Sequence, residues 1–278
     1  MECVENLLMV IRKSLSRMSV LLAWNRASYT LMSLFAITIL LILYIWQPLV
    51  KEYLALFDPA YPVWMQIDWL LVGIFAFMSL LIMAGADLRQ DAWVVLVGLF
   101  GGLVIESWGT QTLLWTYYTD ERPPLWIIPA WPIASLAIDR MVRIASRIHP
   151  AEKDRAYRWL YWVSFTAFLA IMLRFIWPTF DKPLTWMALI ICIVLIITPT
   201  DRRLSLLTFA AGAGLGYFLE RWGTTRECWT YYTGQTPPLF AVLAHGMAAV
   251  AFWRGKLLLV LAASRLSRSR LLSRALQS

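Results

Sequence analysis

The sequence predicts an all-α polytopic membrane protein of about eight transmembrane helices, arranged as two parallel four-helix repeats. Three observations carry this expectation. The chain of 278 residues is 60% hydrophobic and only 15% charged, too apolar for a soluble globule. The stretch from Glu106 to Leu125, ESWGTQTLLWTYYTDERPPL, returns 114 residues later as ERWGTTRECWTYYTGQTPPL, with twelve of twenty positions identical. Lys and Arg gather in alternate connections between apolar runs, which is the signature of a threaded topology.

Eight apolar runs follow in order: Tyr29 to Trp46, Trp69 to Ala86, Trp93 to Trp108, Leu125 to Ile138, Trp159 to Trp177, Leu184 to Thr198, Leu204 to Glu220 and Leu239 to Trp253. About 20 residues at 1.5 Å rise cross a hydrocarbon core of about 30 Å, so the shorter runs need flanking residues. Pro129 and Pro132 inside the fourth run predict a kinked or broken helix there. Many of the sixteen tryptophans sit at ends of runs, where amphipathic rings favour the membrane interface. The expected organisation is a cytoplasmic segment over residues 1–28, a first membrane repeat over 29–138 and a basic cytoplasmic linker over 139–158. A second repeat follows over 159–253, then a basic tail over 254–278. With basic residues among leucines, that tail reads either as an interfacial amphipathic helix or as a partly disordered topogenic tail.

Nineteen Lys and Arg fall in the N-terminal segment, near Arg89, in the linker, at Arg202 and Arg203 and after Trp253, against five in the intervening connections. The positive-inside rule then places both termini in the cytoplasm and both motif loops on the extracytoplasmic side. An even number of spans per copy makes the repeats parallel. The formal charge of +8 therefore marks a cytoplasmic face and not a nucleic-acid footprint. No cleavable signal peptide is expected in the first residues.

The copies correspond beyond the motif: Asp87 with Asp201, Arg89 with Arg203, and Gly98 and Gly102 with Gly212 and Gly216, all at the offset of 114. Upstream, extra residues around Lys51 to Ile67 read as an inserted loop. Each GxxxG pair is expected to let the third and seventh helices approach each other. Gly109 and Gly223 read as turn residues after the helix end, and Pro123-Pro124 with Pro237-Pro238 as the restart into the next span.

Glu106 and Glu220 lie toward the outer boundary of the apolar zone, where an acid costs a few kcal/mol unless it is paired or faces a polar cavity. That makes them candidate catalytic residues. Alternatively, each accepts hydrogen bonds from its own Trp-Gly-Thr turn or from Tyr hydroxyls and only pins the loop. The aromatic set Trp108, Trp115, Tyr117, Tyr118, Trp131, Trp222, Trp229, Tyr231, Tyr232, with His245 standing where the first copy has Trp131, is the candidate substrate-binding surface. Its π faces suit a cation developing on a polyene, while an interfacial belt is the plain reading for half of it. Arg221 beside Glu220, where the first copy has Ser107, favours a base role for Glu220 and an acid role for Glu106. Cys3, Cys192 and Cys228 are too scattered for a disulfide framework or thiolate metal site, and His149 and His245 exclude an eight-histidine iron site. Neither a metal nor any cofactor is expected.

Glu-x-Trp-Gly-Thr, Trp-x-Tyr-Tyr-Thr and the proline-rich run into Trp131 resemble the integral-membrane carotenoid-biosynthesis family that includes the C50 carotenoid hydratases. The resemblance covers about forty residues per copy. It departs from the family pattern in carrying Trp before the tyrosines and in showing the motif twice. It implies a membrane enzyme protonating, hydrating or cyclising a hydrophobic isoprenoid or carotenoid lipid, with Glu106 as general acid and Glu220 as base or activator of water. Glu106→Gln is then expected to abolish turnover while leaving the fold intact. Two other readings stand beside it: a lipid or small-molecule transporter or binding protein with paired intramembrane Glu sites, and a structural membrane scaffold. The expected partners are the membrane and a lipid or isoprenoid substrate, with no nucleic acid.

Overall fold

The computed structural model describes residues 22–148 and 154–275. The chain divides into two compact units, Met1–Asp91 and Ala92–Ser278. Both copies of the motif belong to the second.

In the first unit, α1 (Arg26–Ile45) starts on a capping box in which Asn25 and Ser28 exchange side-chain and backbone hydrogen bonds. Asn25 Nδ2 also donates to the Ala86 carbonyl, at 3.0 Å, and Ser28 Oγ to that of Met83, at 2.6 Å. These bonds fix α1 against α4 (Trp69–Met83), and Phe35 packs on Phe75 between the two helices. The stretch expected as an inserted loop instead carries two short helices, α2 (Gln47–Ala55) and α3 (Val63–Gln66). Pro48 and Pro62 stand at or just before their first turns, where a missing N–H costs nothing. Gln66 closes the turn between them, accepting from Asp58 N and donating to the carbonyls of Asp58 and Tyr61.

The second unit takes in all but the first turn of the helix that crosses the boundary. It contains α5 (Leu88–Gln111), β1 (Trp115–Tyr117), α6 (Ala130–Ile148), α7 (Asp154–Ile176), α8 (Pro183–Ile197), α9 (Arg202–Thr225), β2 (Trp229–Tyr231) and α10 (Leu239–Ala275). Asp87 and Asp201, paired at the 114-residue offset, open α5 and α9, each accepting from backbone N–H groups of the first turn. Among the described residues, four helical stretches are long and apolar enough to cross a membrane: Arg26–Ile45, Leu88–Gln111, Arg155–Thr179 and Leu239–Arg265. Trp69–Met83 and Pro183–Ile197 are apolar but shorter.

The two strands pair antiparallel with Trp115 opposite Tyr231, Thr116 opposite Thr230 and Tyr117 opposite Trp229. This register maps onto itself when residue i is exchanged with its counterpart at i plus 114. A local two-fold axis therefore passes through the Thr116 and Thr230 pair. Flanking bonds obey the same symmetry, with Tyr118 N donating to Cys228 O and Tyr232 N to Leu114 O, at 3.2 and 3.1 Å.

Several expectations change in the second unit. Pro129 precedes α6 and Pro132 sits in its first turn, so the helix is not broken in mid-span; its start is delayed. The second copy has Leu243 and Gly246 at these places, and α10 begins at Leu239, the counterpart of Leu125. The glycine pairs seat each helix on the next helix of its own copy. A Cβ on Gly102 would stand 2.3 Å from the Trp131 ring, and one on Gly216 would stand 2.4 Å from the His245 Cβ. Gly98 faces Pro132 and Ser135, and Gly212 faces Ala249 and Gly246. Contact across the copies comes from Gly101 beneath the Phe252 ring and from α6 against α9.

The linker expected over 139–158 is mostly helix, with residues 149–153 outside the described ones. The expected separate tail is the continuation of α10 through Ala275. Of the cytoplasmic segment expected over 1–28, residues 1–21 lie outside the described residues, and α1 starts within its last turn.

Candidate functional site

Gly109 and Gly223 lie inside α5 and α9 and not after them. Their missing side chains make room for an indole: a Cβ on Gly109 would stand 1.9 Å from Trp115, and one on Gly223 would stand 2.0 Å from Trp229. Each helix then ends in a Schellman arrangement. Leu114 N donates to Gly109 O and Cys228 N to Gly223 O, with Leu113 and Glu227 in the left-handed region at φ 61° and 55°. This reversal lays the following strand back over the helix, so each Trp reaches the acid one turn earlier.

Glu106, 4% exposed, is held at both oxygens. Its Oε2 accepts from Trp115 Nε1 and Tyr117 Oη, each at 3.0 Å, and its Oε1 accepts from Trp131 Nε1 at 3.1 Å. Glu220, 2% exposed, accepts from Trp229 Nε1 at 2.9 Å and Tyr231 Oη at 2.8 Å, with His245 Nδ1 at 3.5 Å from Oε1. Thr110 and Thr224, last in each Trp-Gly-Thr, donate to the carbonyls of Glu106 and Glu220. Burial first, and then the adjacent carboxylate, pushes the phenols of Tyr117 and Tyr231 well above their ordinary range, so both remain protonated donors. Arg221 does not touch Glu220; its guanidinium donates to the Thr236 carbonyl, and His245 is the basic group beside that acid.

The two clamps are cross-braced. Trp115 meets Tyr231, and Tyr117 meets Trp229, each at a centroid distance of 5.8 Å. Trp131 and His245 stack at 5.5 Å, nearly parallel. Trp108 and Trp222 pack edge-to-face with Trp115 and Trp229, each at a centroid distance of 6.0 Å. The structure thus brings together eight of the ten aromatic and histidine candidates with both acids. Tyr118 and Tyr232 stand apart, 51% and 46% exposed, and Tyr232 is tied to the Phe175 carbonyl.

Since Leu113 and Glu227 occupy a position that favours glycine, Glu227→Gly is expected to stabilise the chain by about 0.5–1 kcal/mol. A higher thermal midpoint in detergent is the check.

A pocket of about 410 Å³ opens at the other end of these helices, lined from α5, α6, α9 and α10. Its walls contain counterpart pairs from the two copies: Val94 with Thr208, Ser135 with Ala249, Ile138 with Phe252, Asp139 with Trp253 and Val142 with Lys256. It therefore straddles the relation between the copies. Arg143, Arg147, Lys256 and Asp139 form its polar side. Sequence reasoning took these cations only as a topology signal. Aligning the copies at the 114-residue offset and asking where polarity differs would have found Thr208, Asp139 and Lys256. Among the described residues no group of His, Cys, Asp or Glu is arranged to hold a metal ion.

Comparison of the chain with protein-family models, with curated proteins and with solved structures gives no match, so the function rests on this geometry.

Proposed function

We propose that the chain is a membrane-embedded binding or transport protein for a lipid or other small amphiphile. In this reading it is built of two parallel four-helix repeats with eight spans, and the pocket end, with both termini, faces the cytoplasm. The observation that carries the binding role is the pocket shared by both copies, whose volume lies in the range of small-ligand sites and whose walls change from apolar to cationic. The Glu106 and Glu220 clamps serve it as rigid end plates, holding the copies together where the pocket does not.

Acid and base chemistry on an isoprenoid or carotenoid, with Glu106 and Glu220 as the catalytic pair, is the second reading. Burial of both acids among Trp and Tyr faces supports it. Binding is preferred because both oxygens of each acid are already held by side-chain donors, and an alkene would have to displace them. A scaffold needs the clamps but gives no role to the pocket.

The test is extraction of the full chain from its membrane, followed by lipid mass spectrometry. A stoichiometric amphiphile retained by the parent and lost in Leu204→Trp, which fills the pocket wall, is expected; equal retention by both removes the pocket from the function. The topology is checked separately, with an introduced cysteine at Asp120 expected to label from the extracytoplasmic side. Labelling only from the cytoplasm inverts the assignment.

A further inference from the structure

We infer that the pocket between α6, α9 and α10 takes a single-chain amphiphile with an anionic head, the head on Arg143 and Lys256 and the chain along the apolar wall. The inference rests on the proposed binding role and names its ligand. Three features of the site converge on it. Three cations line the pocket against one carboxylate, Asp139. That carboxylate gathers two of them: Asp139 Oδ2, which also takes Arg140 Nη1 at 2.7 Å, takes Arg143 Nη2 at 2.7 Å, and Oδ1 takes Lys256 Nζ at 3.4 Å. It thereby draws cations from α6 and α10, one from each copy, to the same place. A wall with three basic side chains and one acid attracts an anionic group.

The second feature is Thr208. It lines the pocket, is only 3% exposed, and its hydroxyl has no hydrogen-bond partner. A helical threonine ordinarily bonds back to the carbonyl four residues earlier, as Thr110 and Thr224 do here. A buried hydroxyl without a partner is costly, so a polar atom brought in by a ligand completes it. The first copy has Val94 at this position, so the polarity belongs to one side of the pocket alone.

The third feature is the apolar remainder. Val94, Ile138, Leu204, Ala249 and Phe252 offer no partner for a second charge and suit one hydrocarbon chain. An inorganic anion alone leaves this wall uncovered; a neutral lipid makes no use of the basic side chains. A single acyl chain ending in a phosphate or carboxylate satisfies both.

The experiment uses the full chain in detergent, titrated calorimetrically with lysophosphatidate, with monoacylglycerol of the same chain length, and with inorganic phosphate. Saturable binding of lysophosphatidate is expected, at least ten-fold tighter than monoacylglycerol, with no binding of phosphate. Lys256→Gln should weaken lysophosphatidate about ten-fold, Thr208→Val several-fold, and Val142→Trp should abolish binding while the chain still elutes as the parent does. If Val142→Trp does not fold, Leu204→Trp makes the same test from α9. Equal binding of monoacylglycerol and lysophosphatidate overturns the anionic head but leaves the amphiphile reading standing. Phosphate binding as tightly as lysophosphatidate overturns the need for a chain. Failure of both lipids to bind, or binding indifferent to Val142→Trp and Leu204→Trp, removes the proposed function along with this inference.

Discussion

Gly109→Ala is expected to cost roughly 3–5 kcal/mol, combining overpacking with loss of a hydrogen bond to a buried acid. The added methyl would stand 1.9 Å from the Trp115 ring, and the ring cannot yield freely. Its indole nitrogen is fixed on Glu106, and its ring packs against Tyr231 and, perpendicular to it, Trp108. Moving it either breaks the bond to Glu106 or pushes β1 off β2. Against a typical total stability of about 5–15 kcal/mol, such a loss leaves the chain marginal. Gly223→Ala should behave alike, since Trp229 is placed the same way at 2.0 Å. The measurement is thermal unfolding of purified protein in detergent, followed by near-ultraviolet circular dichroism, which reports the packed tryptophans. A midpoint within a degree or two of the parent for both variants would show that neither glycine is the seat of an indole.

Much of this clamp was legible in the sequence. Duplication at a fixed offset singled out Glu106 and Glu220 with their Trp and Tyr partners, and paired Asp87 with Asp201. What could not be read was direction. Small residues four apart show that one helix face is close to something, but periodicity carries no information on which helix that is. Gly102 and Gly216 accordingly meet Trp131 and His245 of their own copies instead of each other. Gly109 was read as a turn residue after the helix end; its reason is the bulk of an indole six residues later. The two prolines of the fourth run were weighed as helix breakers, yet a proline in the first turn interrupts nothing, since that turn's N–H groups have no helical acceptor. The pocket was missed because charge was counted by connection, whereas Arg143 and Lys256 act through their positions on α6 and α10. Local pattern fixed what each segment is; packing partners come only from how the segments meet.

The paired acids should respond unequally to the same substitution, and this separates a structural clamp from an acid catalyst. Both oxygens of Glu106 meet an indole N–H, Oε1 from Trp131 and Oε2 from Trp115. An indole donates and cannot accept, so either orientation of a glutamine amide sets its NH2 against one of them. Two buried donors then lack acceptors, at about 1–3 kcal/mol each. Glu106→Gln is therefore expected to destabilise by roughly 2–5 kcal/mol. Glu220 meets only one indole. Its Oε1 faces the Tyr231 hydroxyl, which can turn to accept from an amide, with His245 Nδ1 more distant at 3.5 Å. Glu220→Gln can place its oxygen on Trp229 and its NH2 on Tyr231, at a cost of about 1 kcal/mol or less. Thermal midpoints of the two variants, read beside Glu106→Ala and Glu220→Ala as full deletions of each acceptor, give the comparison. A Glu106→Gln protein as stable as the parent, but inactive on an isoprenoid substrate in membranes, would return Glu106 to the role of proton donor. A large loss of stability in Glu106→Gln with little in Glu220→Gln is the outcome the hydrogen-bond geometry requires, because the asymmetry follows from Trp131 standing where the second copy has His245.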